Sequence, residues 1–96
     1  MRSDICDAIT KHLLLDLRYH GYGRTVEPHA YGRDRNGDEV MRCYQIAGGS
    51  ESGEPAGWKL LKVAEIYSIQ VLKQTFTPRL DYRRNDRAME RIYCQI

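Results

Sequence analysis

Between His12 and Leu13 the hydrophobic pattern of this chain changes period, and that change sets the fold class. Ile5, Ala8, Ile9 and His12 recur at the spacing of a helix face, whereas Leu13, Leu15, Leu17 and Tyr19 alternate with Leu14, Asp16, Arg18 and His20. The first rhythm predicts a short helix over about residues 4–11, with Asp4 as N-cap and Asp7 adding negative charge to the first turn. The second predicts a strand with one buried face. One helix of this length cannot both enter a DNA groove and be supported by a second helix, so a helix-turn-helix reader is excluded.

Extended segments dominate the rest of the chain. Gly21-Tyr22-Gly23 interrupts the first strand, and a second extended stretch begins at Thr25-Val26. Pro28 removes a backbone donor from it, which places an edge or a bulge there. Arg35-Asn36-Gly37-Asp38 carries the Asn-Gly pair of a tight hairpin. The strand beyond, about 39–47, sets Val40, Tyr44 and Ile46 on one face and Met41 and Cys43 on the other. Residues 48–57 form a polar, glycine-rich loop. Alternation resumes from Trp58 to Ile66, and Ile69, Val71 and Leu72 indicate a further strand or a bend. After Thr77-Pro78 comes an arginine-rich connector, in which Asp86 is a candidate cap for a last helical turn, and Ile92–Ile96 reads as a closing strand. One short helix followed by four to six strands predicts a mainly β chain, a small SH3-like or Sm-like antiparallel β-barrel with a short N-terminal helix, as one domain over 1–96.

Composition narrows the class further. No apolar run approaches the roughly 20 residues of a membrane helix, and Met1-Arg2-Ser3-Asp4 opens no apolar signal region. Cys6, Cys43 and Cys94 are an odd number at wide spacings, which predicts reduced thiols in a cytoplasmic protein. The formal charge is only +2. Its distribution is uneven: residues 73–96 hold six basic groups (Lys73, Arg79, Arg83, Arg84, Arg87, Arg91) against three acidic ones. The excess is therefore C-terminal. Arginines outnumber lysines eleven to four and seven tyrosines accompany them, a pairing suited to forked contacts with phosphate and to stacking.

Catalysis finds no support. His12, His20 and His29 lie eight and nine residues apart, without the close ligand pairs of a zinc site. No nucleophile elbow, phosphate loop or dinucleotide fingerprint is present, and Cys43 falls mid-strand, where thiols are buried and inert. The expectation is a binding module rather than an enzyme, with no cofactor. Arg42 is the most informative candidate: it shares a strand face with Val40 and Tyr44, and an arginine among apolar neighbours needs an anionic partner. Either Glu27 or Glu65 meets it, or a ligand does.

The order of these segments resembles the WYL domain family. The resemblance is carried by Leu17-Arg18-Tyr19, Arg24-Thr25-Val26-Glu27-Pro28-His29-Ala30-Tyr31-Gly32, a glycine turn, Glu39-Val40-Met41-Arg42-Cys43-Tyr44 and Trp58 to Ile66, across roughly residues 13–76. The R-x-V-x-P-x-x-x-G pattern matches, whereas Glu39-Val40-Met41 stands at the name-giving triplet. Of the later basic motif Lys62 survives, with Ala64 and Glu65 at its acidic and second basic positions. The resemblance implies an Sm-like barrel from bacterial transcription regulation that senses ligands, often nucleic acids or nucleotides, here as a stand-alone module.

Two functions are expected. In the first, Arg24, Arg42 and Lys62 contact the phosphates of single-stranded nucleic acid or a nucleotide, Tyr19 and Tyr44 stack, and Arg79, Arg83 and Arg84 extend the basic surface. All would share one concave face. In the second, the chain is a protein-interaction or self-association module without nucleic-acid binding, using a homo-oligomeric or regulatory partner at Ile92–Ile96.

Overall fold

The computed structural model describes all residues, Met1–Ile96. The elements are α1 (Ser3–Lys11), β1 (Leu13–Tyr19), β2 (Tyr22–Arg33), β3 (Glu39–Gly48), β4 (Gly57–Lys62), a single 3-10 turn (Val63–Glu65), β5 (Ile66–Thr75) and β6 (Arg91–Gln95). The chain is mainly β, as its alternation predicts. All the pairings are antiparallel, in the order β4-β3-β2-β1-β5, with β6 added beside the second half of β2. No ladder joins β4 to β5, so the sheet is not closed by hydrogen bonds into a barrel.

The helix ends where the period changes. His12 takes the left-handed conformation at φ 54°, and its N–H returns to the Ala8 and Ile9 carbonyls, so the backbone reverses at that residue. The cap is Arg2 rather than Asp4; Asp4 sits inside the first turn, where its carboxylate binds the Arg2 guanidinium at 2.7 Å. Ile5, Ala8 and Ile9 are buried against the sheet.

In β1 the alternation holds: Leu15, Leu17 and Tyr19 are buried and Asp16 and Arg18 exposed. Val26 opposes Leu15 across the β1–β2 ladder, and Met41, Cys43 and Leu61 complete the same inner face. Pro28 lies where the β2–β3 register shifts, between Pro28 and Ala30. That bulge lets one strand pair β1 with its first half and β6 with its second. The Asn36-Gly37 turn is present, with Gly37 at φ 85°, and Asp34 closes it by accepting the Asn36 and Asp38 N–H groups at 2.9 Å. Leu61 and Ile66 are not one strand, because the 3-10 turn divides them. Residues 86–89 form a turn and no helix; Asp86 accepts the Ala88 N–H at 3.0 Å.

The thiol expectation is overturned for two cysteines. Cys6 of α1 and Cys94 of β6 form a disulfide, with Cα atoms 5.7 Å apart and 88 residues between them in sequence. The fold brings α1 and β6 side by side, which wide sequence spacing does not reveal. In the chain-entropy account, a loop this long stabilises the fold by about 4–5 kcal/mol. Cys43 is free and buried, and burial pushes its thiol up to about 12, so it is inert as its strand position predicts.

The connector between β5 and β6 runs over the outer face of β2 and β3. Ala30, Val40 and Met89 form a second small core there, with Tyr82 and Ile92 packed against it. This segment places the C-terminal arginines above β3.

Candidate functional site

Val40, Arg42 and Tyr44 share the outer face of β3, as two-residue periodicity requires, while Met41, Cys43 and Gln45 are buried on the inner one. Cross-strand partners extend the outer face onto β4, where Tyr44 opposes Trp58 and Arg42 opposes Leu60. Tyr44 and Trp58 meet edge to face at 5.4 Å.

Above this platform the connector, β3 and Trp58 of β4 line an open cavity of about 500 Å³. Arg42, Arg83, Arg84 and Arg87 line it, together with the aromatic rings of Trp58 and Tyr82. Two carboxylates belong to the same wall, and both are engaged. Arg42 Nε donates to Asp86 at 2.6 Å, and Trp58 Nε1 donates to Asp81 at 3.0 Å. Partial burial pushes the Asp86 carboxyl up, but the Arg42 guanidinium and the Ala88 N–H together hold it below the ordinary carboxylate range. Asp86 is thus the partner of Arg42, in place of Glu27 or Glu65. Arg84 Nε donates to the Ile96 carbonyl at 3.1 Å. Arg83 and Arg87 are exposed, enter no ion pair or side-chain hydrogen bond, and both line the cavity.

A second groove of about 680 Å³ shares Asp81 with this cavity. Its floor is Glu27, bound by Arg79 through Nε at 2.8 Å and the second guanidinium nitrogen at 3.2 Å. The Arg79 guanidinium lies 3.7 Å from the Tyr44 ring centre. Glu27 holds the Arg79 pKa above its usual value. Arg79 is thereby a structural clamp between connector and sheet. His29 assists: its Nδ1–H donates to the Glu27 carbonyl at 2.9 Å and its Nε2 accepts the Arg79 N–H at 3.1 Å.

The residues predicted from sequence therefore divide. Arg42, Arg83 and Arg84 line the cavity, and Tyr44 and Arg79 line the adjoining groove. Lys62 opposes Val40, hence faces outward, but it points to Asp38 of the hairpin at 3.8 Å. Tyr19 and Arg24 lie on the other side of the sheet. Arg24 opposes Leu17 in the ladder, is only 4% exposed, and donates to the Tyr19 carbonyl at 3.1 Å and to Gln45 at 3.4 Å. Its guanidinium lies over the Tyr19 ring at 5.1 Å, and its Nε has no partner. Tyr19 itself is occupied, its hydroxyl accepting the Lys62 N–H at 3.1 Å. The single concave face expected for Arg24, Arg42 and Lys62 is not formed, because Arg24 and Arg42 project from opposite faces of the sheet.

Trp58, Asp81, Tyr82, Asn85, Asp86 and Arg87 are the cavity residues that the sequence does not single out for binding. The charge excess of residues 73–96 is the available signal for Arg87; Asp86 and Tyr82 carry none, since their role depends on where the connector lies. No group of three or more His, Cys, Asp or Glu side chains is placed to hold a metal ion, and no helix is long and apolar enough to cross a membrane. Compared with known proteins, the chain matches no family model, no curated protein and no solved structure.

Proposed function

We propose that this chain is a small ligand-sensing module that binds an anionic ligand, single-stranded nucleic acid or a nucleotide, in the arginine-lined cavity above β3. One observation carries the reading: four arginines surround one cavity with Trp58 and Tyr82, and Arg83 and Arg87 have no anionic partner within the protein. Unpaired forks suit phosphate oxygens, and the two rings offer stacking faces for a base. Asp81 and Asp86 reduce the local charge, but Arg42 already neutralises Asp86.

The SH3-like or Sm-like barrel and the WYL likeness belong to the same proposal. A short helix leading into an antiparallel sheet ordered β4-β3-β2-β1-β5, with a 3-10 turn between the two edge strands, supports the barrel-like topology. A bacterial regulatory role follows from that likeness alone. The alternative, a protein-interaction module without nucleic-acid binding, would use Ile92–Ile96, because β6 pairs only with β2 and is itself an edge strand.

Fluorescence polarisation with a labelled oligothymidine and with a labelled nucleoside triphosphate, at two ionic strengths, tests the reading. Binding at low salt that falls steeply as salt rises supports it. A folded protein that binds neither probe at low salt refutes it.

A further inference from the structure

The cavity hangs on Gln95 and Ile96. Gln95 accepts the Asn85 N–H at 2.9 Å and the Tyr82 hydroxyl at 3.4 Å through Oε1, and its amide donates to Asn85 Oδ1 at 3.0 Å. The Ile96 carbonyl accepts from Arg84, and the Ile96 N–H donates to the His29 carbonyl at 2.9 Å. Tyr82, Arg84 and Asn85 all line the cavity. Their anchors directly follow Cys94, the residue that the disulfide ties to α1. β6 is a five-residue strand whose ladder to β2 shifts register between Tyr31 and Gly32. A strand this short is a weak holder by itself, so the bond to Cys6 supplies a second, covalent hold at the point where the connector is anchored.

We propose that the Cys6–Cys94 disulfide is a redox control on the arginine-lined cavity, binding-competent when oxidised and loosened when reduced. The proposal rests on the anion-binding reading and adds its regulation. Both half-cystines are partly buried rather than sealed, so a dithiol reductant reaches them. One thiolate of the dithiol attacks a sulfur of the pair, breaking the Cys6–Cys94 bond and forming a mixed disulfide. The second thiol of the reductant then displaces that cysteine, and the reductant leaves as its own cyclic disulfide. Two electrons and two protons pass to the protein, which gains two thiols. Cys43 takes no part, being fully buried on the inner face of β3. After reduction β6 keeps its short ladder and the packing of Tyr93 and Ile96 on the core but loses its covalent tie to α1. The Gln95–Asn85 and Arg84–Ile96 bonds then fray, and the connector segment that carries Arg83, Arg84 and Arg87 loses its fixed position over β3, which weakens a preorganised site.

The test compares oxidised protein, dithiothreitol-reduced protein and the Cys94→Ser and Cys6→Ser variants, with two readouts. The first is polarisation of labelled oligothymidine at low salt, and the second is amide hydrogen exchange. The expected result is affinity lower by about tenfold in the reduced protein and both variants. It is accompanied by faster exchange in residues 82–87 and 92–96, while Leu15, Val26 and Met41 stay protected. Equal affinity and equal protection of 82–87 in the two redox states overturn the proposal. Loss of protection throughout the inner core also overturns it, showing a general staple. If the oxidised protein binds no oligonucleotide, the anion-binding reading falls. Exchange then still decides the coupling: faster exchange confined to the connector and β6 upholds it, and unchanged exchange rejects it.

Discussion

Arg42 of β3 and Asp86 of the connector, 44 residues apart in sequence, meet through Nε and Oδ2 at 2.6 Å. Their side chains are 27% and 12% exposed, so this is a half-buried pair whose separation leaves a poorly solvated charge. Asp86 also accepts the Ala88 N–H, which makes one carboxylate hold both the sheet and the turn above it. Asp86→Asn is expected to lower stability by about 1–3 kcal/mol in urea unfolding at pH 7. Replacing the pair together, Arg42→Met with Asp86→Leu, recovers most of the loss, because neither charge is then stranded. An Asp86→Asn protein as stable as the parent would show that the pair is ornamental.

The buried Arg24 behaves in the opposite way. It has no carboxylate partner, and its Nε is unbonded, so its burial is held by two neutral acceptors and the rings of Tyr19 and Tyr22. Arg24→Met removes an uncompensated charge from the core. It is expected to change stability by no more than about 1 kcal/mol in either direction, and to leave oligonucleotide affinity unaltered, since the cavity lies on the other face. A large fall in affinity without unfolding would move the site to the inner face.

Two histidines are expected to titrate on opposite sides of the ordinary value of 6.5. His20 lies between Glu51 and Glu65, whose carboxylates raise its pKa. His29 is buried with both ring nitrogens bonded, and burial lowers its pKa although the Glu27 carbonyl opposes this. For His20 the contribution to stability is full below about pH 6.5 and is lost as pH rises through its higher folded value. For His29 it is full above about pH 6.5 and is lost as pH falls towards its lower folded value. Proton NMR titration of the two rings measures both; His29 titrating above His20 would contradict the assignment.

Gly32 is where β2 admits β6. A Cβ at this position would collide with the Arg91 carbonyl and press on Ile92 Cα at 3.0 Å. Both obstacles are backbone, so neither moves aside without breaking the ladder. Gly32→Ala is expected to cost about 2–3 kcal/mol and to raise hydrogen exchange in residues 91–95 more than in β1. Unchanged exchange there would mean that β6 is not held by this close approach.

Features set by neighbouring residues are legible in the sequence. The end of α1 at the change of period, the alternation of β1, the Pro28 bulge, the Asn36-Gly37 turn and the shared face of Val40, Arg42 and Tyr44 each rest on a few adjacent positions. What escapes such reading depends on long-range placement. Arg24 follows the same alternation as Leu17 and Val26, yet which face becomes the inner one is settled only when α1 covers it. Asp86 reads locally as a helix cap because its role as the Arg42 partner requires the connector to cross β3. The Cys6–Cys94 bond is hidden for the same reason, since its halves sit far apart in the chain. The candidate site is half visible: the arginine excess of the last quarter marks its charge, while Trp58 and Tyr82 join it only through folding.

The most direct test of anion capture above β3 is the salt dependence of oligothymidine binding for the oxidised protein and for Arg83→Ala/Arg87→Ala. These arginines have no internal partner, so their removal leaves the fold intact. The account predicts that the parent binds at low salt with a steep decline in affinity as salt rises. The double variant should bind more weakly, its log–log slope shallower by about 0.7 for each phosphate no longer neutralised. Equal affinity and equal slope in parent and variant would contradict it.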